Sequence, residues 1–238
     1  MTTPIQATTF ADGEGDAWYT RNRAHLAAYD MTNDPVARAI TAAGLKPRSI
    51  LDLGCSSGTR LTALCRHHRA QGTGVEPSAA AIEEARTRDP HVTWQVGTLD
   101  AHPPLQGPFD LVVVSFVLHW IDRRRLLTSL AALDAEVADG GCVVISDFYP
   151  EHPLRREYHH LTGQGVFTYK NDYPAMLLST GLYRPLLRQT LDYPSFGPAQ
   201  VGTSDGEQVD RKQADRKQAD RAQVAVLERI PASAITLG

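Results

Sequence analysis

The chain has 238 residues, of which 42% are hydrophobic and 21% charged, and its formal net charge is -3. This length suits one domain with a sizeable core, because two full domains would be cramped. The slight negative charge argues against a nucleic acid as partner, since such proteins usually present a basic face. No apolar run is long enough to span a bilayer, and the first residues do not resemble a secretory signal. We therefore expect a cytoplasmic protein without a membrane segment.

Residues 1–44 are predicted to form a helical cap ahead of the main body. The first 17 residues are polar and rich in glycine and aspartate. Two helices are predicted to follow, over Trp18–Tyr29 and Pro35–Ala43, and the second ends at Gly44.

Strands and helices alternate between residues 45 and 148. The predicted strands are Ser49–Leu53, Ala70–Val75, Val92–Val96, Phe109–Ser115 and Cys142–Phe148, and the helices are Gly58–Arg66, Ala79–Arg86 and Arg123–Leu133. Because these strands are nearly continuous apolar runs, we expect a parallel sheet with helices on both faces. This pattern is typical of a doubly wound, Rossmann-like α/β fold.

The composition changes after the fifth strand. Residues 149–182 bring histidines, aromatic residues and glycines together before a predicted helix over Tyr173–Thr180. In the last part, residues 183–238, the strands Tyr183–Leu191 and Gln223–Glu228 lack an intervening crossover helix. Such strands predict an antiparallel hairpin at the end of the sheet, still within the same domain.

The pentapeptide DRKQA occurs twice in tandem, at Asp210–Ala214 and Asp215–Ala219. Charges of both signs alternate in each copy, which favours a duplication in a solvent-exposed hairpin loop over a basic interaction arm. Because loop length costs little free energy, deleting one copy is expected to leave the melting temperature and ligand affinity nearly unchanged. A large fall in melting temperature would contradict this interpretation.

The most informative stretch is ILDLGCSSGT, residues 50–59, which runs from a strand through a glycine-rich turn into a helix. Gly54 and Gly58 are expected to let the turn pass close beneath a ligand, because a side chain there would collide with it. A dinucleotide site would show GxGxxG, whereas the spacing here is GxxxG. Asp52 precedes the first glycine, and its carboxylate would repel a phosphate but suits the ammonium of an amino-acid ligand.

Polar residues also end the following strands. Glu76 ends the second strand, where a carboxylate can accept hydrogen bonds from both hydroxyls of an adenosine ribose. NAD-binding folds place an acid similarly, so Glu76 alone does not discriminate between cofactors. The third strand ends at Val96–Asp100, where its loop would border an adenine, and the fourth ends at Ser115 beside the same crevice.

The ordered set DLGCSSG, GVEPS, VGTLDAHP, FDLVVVSFVLHW and GGCVVIS resembles the successive motifs of class I S-adenosylmethionine (SAM)-dependent methyltransferases. It is most similar to the subgroup of ubiquinone/menaquinone-type and small-molecule methyltransferases. The resemblance covers residues 45–148, which it identifies as the SAM-binding core, and is weaker beyond them. It implies an enzyme that uses SAM, releases S-adenosylhomocysteine and needs no metal.

The resemblance also implies individual roles. Asp52, Gly54 and the Cys55 backbone would line the methionine end, Glu76 would hold the ribose, and Pro77 and Leu99 would enclose the adenine. Thr98 stands where relatives often carry an aspartate for the adenine amino group, and Asp100 is the alternative acceptor. The cofactor-binding residues implied are Trp18, Arg21, Asp52, Gly54, Cys55, Gly58, Glu76, Pro77, Thr98, Leu99 and Ser115.

Two interpretations are open for the amino-terminal residues of this set. Trp18, Arg21 and Asn22 share one helix face. That face either contacts the carboxylate of SAM or docks the helix on the domain.

His119 follows the fourth strand, where a methyl acceptor should approach. It is either a general base, since a histidine pKa near ~6.5 suits proton removal at neutral pH, or a packing residue that orients the cofactor. Residues 149–182 are predicted to form a lid over the acceptor, and the alternative is an apolar cluster that packs this segment on the body. The predicted acceptor-binding residues are His160, Tyr169, Lys170 and Tyr173, with Lys170 suited to an acidic group.

Absent motifs narrow the reaction. No Asn/Asp-Pro-Pro-Tyr/Phe or Pro-Cys follows the fourth strand, and Ser115-Phe116 replaces an acidic metal-binding set. These absences disfavour methylation of nucleobases or glutamine and magnesium-dependent catechol chemistry. We expect a small-molecule or peptide acceptor, with O-methylation favoured. The alternatives are a SAM-binding partner protein without activity and a nicotinamide-dependent oxidoreductase.

Overall fold

The computed structural model describes residues 5–192 and 221–234. The helices are α1 (Ile5–Thr8), α2 (Gly15–Ala27), α3 (Pro35–Ala42), α4 (Thr59–His68), α5 (Ala79–Arg88), α6 (Leu126–Ala135) and α7 (Tyr173–Leu178). The strands are β1 (Ser49–Leu53), β2 (Gln71–Glu76), β3 (Thr93–Val96), β4 (Phe109–Ser115), β5 (Val137–Phe148), β6 (Leu154–Glu157), β7 (Phe167–Lys170), β8 (Tyr183–Asp192) and β9 (Arg221–Arg229). A π-helical turn covers Phe10–Glu14, and 3-10 turns cover Leu118–Trp120 and Ala232–Ala234. The DRKQA repeat lies outside the described residues.

Seven strands form one sheet in the order β3-β2-β1-β4-β5-β9-β8. Strands β1 to β5 run parallel, β9 is antiparallel to β5, and β8 is antiparallel to β9. The predicted α/β fold, a mostly parallel sheet with an antiparallel carboxy-terminal pair, is therefore confirmed. The chain order reverses between β1 and β4, so the carboxyl ends of these strands border a crevice of the kind in which such sheets bind ligands.

Helices cover both faces of the sheet. On one face, α3, α4 and α5 bury Ile40, Leu61 and Ile82, and on the other, α6 and α7 bury Leu133 and Leu177. Each fully buried side chain of this size contributes roughly 1.5–3 kcal/mol. These two cores hold the ends of the strands, and with them the crevice, in fixed positions.

The observed elements differ from the predicted ones in several places, and α6 begins three residues later than predicted. Helix α2 begins at Gly15, three residues before the predicted start. Strand β5 extends back to Val137, because Gly140 adopts φ 72° where the pairing with β4 shifts register. The segment after β5 contains the antiparallel pair β6–β7, which was not predicted. These two strands are short and half-exposed, so they carry little apolar alternation.

Within the described ranges, 5–192 and 221–234, no helix has the length and apolar character needed to cross a membrane.

Candidate active site

The turn after β1 is held against the end of β2 by hydrogen bonds. The N–H groups of Gly54 and Cys55 both donate to the carbonyl oxygen of Val75, at 2.8 and 3.1 Å. The N–H of Ser56, a residue with φ 49°, donates to the carboxylate of Glu76 at 3.0 Å. The protein itself therefore fixes this turn, and the Cys55 N–H is already paired with β2.

The two glycines of this turn are required by the protein as well as by any ligand. Both have positive φ, 83° at Gly54 and 70° at Gly58. A Cβ atom at Gly54 would overlap the side chain of Val117, and one at Gly58 would overlap the ring of Trp94. The sequence predicted collision with a ligand, whereas the collisions here are with side chains of the chain itself.

Asp52 is a fully buried carboxylate at the carboxyl end of β1. It has 0% exposure, and neither oxygen has a hydrogen-bond partner among the residues that the structure describes. Burial raises its pKa to about 6, although the positive charge of Arg60 opposes this shift. An unpaired buried carboxylate is costly, so the site fits a ligand that brings a positively charged hydrogen-bond donor.

Other charged and polar groups surround Asp52. The guanidinium of Arg60 donates from Nε to Asp34 at 2.7 Å, and Asp34 also caps α3 by accepting from the N–H of Val36. The hydroxyl of Tyr29 is buried near the same ion pair, and burial raises its pKa. Both signs of charge therefore lie beside Asp52, as an amino-acid zwitterion requires.

Glu76 lies at the end of the neighbouring strand and is also buried. Its two oxygens accept hydrogen bonds from the N–H groups of Ser56 and Ser78, each at 3.0 Å. Burial raises its pKa to about 7, and the two N–H donors oppose that shift. Each carboxylate oxygen keeps a further lone pair, which fits the hydroxyls of a ribose.

A cavity of about 280 Å³ opens at the ends of β2 and β3. It is lined by Thr8, Ala11, Asp12, Pro77, Val96, Gly97, Thr98, Asp100, Ala101 and Arg125. The predicted adenine neighbours Pro77 and Thr98 therefore line it, whereas Leu99 is buried in the core beside Val75. Asp100 accepts hydrogen bonds from Arg125 and Ser129, and its pKa is lowered by these donors against the effect of burial.

A larger cavity, about 400 Å³, is lined by Met31, Thr32, Ala37, Arg38, Thr41 and Ala42. None of the residues predicted from the sequence to bind cofactor or acceptor lines it.

The amino-terminal segment lies over the end of β2. Asp16 accepts hydrogen bonds from the Ser78 hydroxyl at 2.5 Å and from the Ala80 N–H at 3.1 Å, and so caps α5. The guanidinium of Arg21 binds Glu14 and donates to the hydroxyl of Tyr158 at 2.8 Å. Arg21 thus joins the cap to the segment after β5, while Asn22 donates to the carbonyl of half-buried Trp18.

A second link joins this segment to the strand ends. The side-chain amide of Gln6 donates to the carbonyls of Trp120 at 2.9 Å and Phe167 at 2.6 Å, and accepts from the Phe167 N–H at 2.7 Å. The rings of Phe10 and Trp120 lie 4.6 Å apart. The cap and β7 therefore enclose the space beyond β4.

His119 and Asp147 form a buried pair at the carboxyl ends of β4 and β5. Nδ1 of His119 lies 2.9 Å from Oδ1 of Asp147, and the His119 N–H donates to Oδ2 at 3.2 Å. Both residues are under 5% exposed. Asp147 was not predicted from the sequence, although an acid inside the apolar strand VVISDF was a usable signal.

The predicted acceptor-binding residues occupy different environments. The ammonium of Lys170 lies 3.7 Å from the centre of the Phe148 ring, which in turn contacts His119. Tyr173 is 1% exposed, and its hydroxyl donates to the carbonyl of Tyr169. His160 is exposed beside Tyr158. The structure thus places both Lys170 and His119 against the ring of Phe148, buries Tyr173 in the core and leaves His160 at the surface.

The strand order and the two buried acids at the carboxyl ends of β1 and β2 are those of the class that the sequence motifs resemble. Ser115, the last residue of β4, pairs with Ser146 on β5. Phe116 follows it with φ 55°. No group of histidine, cysteine or acidic residues within the described part of the chain could hold a metal ion.

Comparisons with known proteins agree with this class. Residues 50–141 match a family described as a methyltransferase domain. The malonyl-[acyl-carrier protein] O-methyltransferase of Halorhodospira halophila is 30% identical over 59% of this chain and 50% of its own length. The 3-hydroxy-5-methyl-1-naphthoate 3-O-methyltransferase of Streptomyces sahachiroi is 31% identical over 49% of this chain and 35% of its own. The chain thus spans half or less of the length of these curated relatives.

A solved structure extends the likeness to nearly the whole chain. The 1,6-didemethyltoxoflavin-N1-methyltransferase of Burkholderia thailandensis, with S-adenosylhomocysteine bound, has a TM-score of 0.68 and covers 97% of this chain and 92% of its own. At 16% identity this likeness concerns the fold. Residues 50–141 therefore match a methyltransferase domain family, and the fold of the chain is similar to that of a SAM-dependent methyltransferase.

Proposed function

We propose that the protein transfers a methyl group from SAM to a small-molecule acceptor. The observation that carries this proposal is the unpaired, fully buried carboxylate of Asp52, which a ligand ammonium would neutralise. A nicotinamide cofactor would instead bring a pyrophosphate, which this carboxylate repels. The second buried acid, Glu76, supports a nucleoside in the same ligand.

The residues of the chain would hold the cofactor along the carboxyl ends of β1 to β3. Asp52 would bind the ammonium, Glu76 the ribose hydroxyls, and the cavity at Pro77 and Thr98 the adenine. When bound, SAM supplies a methyl group on a positively charged sulfur that leaves readily. The protein therefore contributes mainly alignment and exclusion of water. The enclosure made by Gln6, Phe10 and Trp120 suits the second task.

The segment after β5 supports a proposal about the class of acceptor. The segment 149–182 contacts the cap and the end of β5, which supports a role as acceptor lid. Lys170 would favour an acceptor with an acidic group. Both curated relatives are named for O-methylation, which supports oxygen as the methylated atom. The three cysteines are free and buried, which suits the cytoplasm that we expect.

Replacing Glu76 with alanine is expected to weaken SAM binding by about tenfold or more. A lost hydrogen bond to a charged group costs roughly 1.5–3 kcal/mol, and 1.4 kcal/mol corresponds to a factor of ten. Titration calorimetry with SAM measures the change, and circular dichroism shows whether the variant is folded. The control is Glu83→Ala, at a side chain 71% exposed on α5. Equal SAM affinity in the folded Glu76 variant would remove this residue from the site.

Thermal-shift measurements separate the alternatives. We expect SAM and S-adenosylhomocysteine to raise the melting temperature and NADH to leave it unchanged. Stabilisation by NADH alone would favour the oxidoreductase. SAM binding without methyl transfer to any acceptor would favour the non-catalytic partner protein.

A further inference from the structure

The pair formed by His119 and Asp147 has a geometry that fixes the imidazole. Asp147 is almost completely buried, and its Oδ1 also accepts the N–H of Phe148 at 2.7 Å. With Oδ2 bound to the His119 main chain, the carboxylate is anchored on both sides. Oδ1 of Asp147 accepts a hydrogen bond from Nδ1 at 2.9 Å, so the neutral imidazole of His119 carries its proton on Nδ1. Nε2 is then the unprotonated nitrogen of His119.

The imidazole of His119 is almost fully buried and is enclosed by aromatic rings. The side-chain hydrogen bond of His119 to the described residues is made by Nδ1. The rings of Phe116, Trp120 and Phe148 lie around the imidazole, with centroids 4.9 to 6.2 Å away. The anchored carboxylate of Asp147 supplies the counter-charge that an imidazolium requires, which suits His119 as a base.

The pair lies at the strand end where the sequence motifs imply that a methyl acceptor approaches. His119 is on the turn directly after β4, at the edge that the cap and β7 enclose through Trp120. Phe116 opens this turn with φ 55°, a conformation that costs a non-glycine residue roughly 1–3 kcal/mol and is concentrated at functional sites. This turn places His119 just beyond the carboxyl end of β4.

We propose that His119 is the general base of the methyl transfer, that Asp147 positions it, and that the methylated group is a hydroxyl. This inference rests on the function proposed above and narrows its acceptor class. Nε2 takes the proton of the acceptor hydroxyl, and the electron pair of the broken O–H bond forms the new bond to the methyl carbon. The methyl–sulfur electron pair stays on sulfur, giving neutral S-adenosylhomocysteine, and the imidazolium then releases its proton to solvent.

The acid–base properties of acceptors explain why the pair points to a hydroxyl. A carboxylic acid has a pKa near ~4 and is already ionised at neutral pH, so its methylation needs no base. A phenol has a pKa near ~10 and must lose its proton during the reaction. An imidazole with a pKa near ~6.5 is suited to that transfer, and general bases contribute roughly 10²–10⁴-fold.

The test combines an acceptor panel with matched variants. SAM is offered with simple phenols and with the corresponding benzoic acids, and methylated products are measured by mass spectrometry. For a methylated phenol, kcat and KM are compared between the parent, His119→Asn, Asp147→Asn and the control His91→Asn, an exposed histidine before β3. We expect phenols to be preferred. We expect both site variants to lose about 10²-fold or more in kcat while SAM affinity is retained.

A nitrophenol already ionised at the assay pH distinguishes a base from a packing residue. If His119 removes the proton, the loss in kcat nearly disappears for this acceptor. An equal loss for both phenols, parent-like turnover by the variants, or methylation of benzoic acids alone would overturn the inference and leave the proposed methyltransferase intact. Failure to bind SAM, or to methylate either class, would instead contradict the proposed function and with it this inference.

Discussion

Replacing Asp52 with asparagine is expected to stabilise the ligand-free protein and to weaken its binding of SAM. The pKa of this carboxyl is about 6 in the folded state against a reference value of 3.8. The folded state therefore binds a proton more readily than the unfolded chain, and this stabilisation is complete below about pH 4. It is lost as the pH rises through 6, because the buried carboxylate then ionises.

The size of this effect follows from the shift. Two pKa units correspond to about 3 kcal/mol, since each unit is worth about 1.4 kcal/mol. Asparagine carries no charge, so the variant avoids the loss above pH 6, although its amide is still buried. We expect a gain on the order of 1–3 kcal/mol at pH 8, or a few degrees or more in melting temperature. Below pH 4, parent and variant should be nearly equal.

The same substitution removes the charge that would pair with the ammonium of SAM. We expect SAM affinity to fall by about tenfold or more at pH 8. Melting curves from pH 4 to 8 and calorimetry with SAM measure the two effects, and exposed Glu83→Gln is the control. A variant that is less stable at pH 8, or that binds SAM like the parent, would contradict the role given to Asp52.

The fold was predictable because its signals are local. Runs such as Leu111–Val114 are apolar throughout, and a glycine-rich turn follows the first strand, so the alternation of strands and helices is readable from short windows. The buried acids Asp52 and Glu76 were predictable for the same reason, since each ends a strand inside its own motif. The pair β6–β7 was missed because its short strands are partly exposed on both faces.

The contacts that complete the site were not predictable, because they depend on how distant elements meet. His119 and Asp147 are 28 residues apart and come together only because β4 and β5 pair in parallel, with Ser115 opposite Ser146. The contact between Glu14 and Tyr158 spans 144 residues. Sequence spacing alone carries no information about such pairs.

The structural reason for Gly58 also could not be predicted from the sequence. It leads to the second large expected effect, a loss of stability on replacing this glycine. Trp94 on β3 lies against this glycine and is fixed by a hydrogen bond from Nε1 to the carbonyl of Asp89 at 2.8 Å. An alanine at position 58 would therefore meet a ring that cannot easily move. The left-handed conformation adds about 1–2 kcal/mol, and overpacking typically adds 1–3 kcal/mol. We expect Gly58→Ala to cost about 3 kcal/mol or more, which lowers the melting temperature by about 10 °C.

A matched control separates the two contributions. Gly44 has a similar φ of 68°, and a Cβ atom there would have nothing within 4 Å. Gly44→Ala should therefore show the conformational cost alone, about 1–2 kcal/mol. Combining Gly58→Ala with Trp94→Leu should cost less than the sum of the two single changes, because the smaller side chain removes the overlap.

Melting curves and SAM calorimetry on these variants distinguish the two explanations for the glycine. If Trp94 requires the glycine, Gly58→Ala lowers the melting temperature far more than Gly44→Ala. The double variant with Trp94→Leu then loses less stability than the sum of the two single changes. If only the ligand requires it, the melting temperature falls no further than in Gly44→Ala, while SAM affinity drops. The second result, with additive effects at positions 58 and 94, would contradict the packing explanation and restore collision with the ligand as the reason for this glycine.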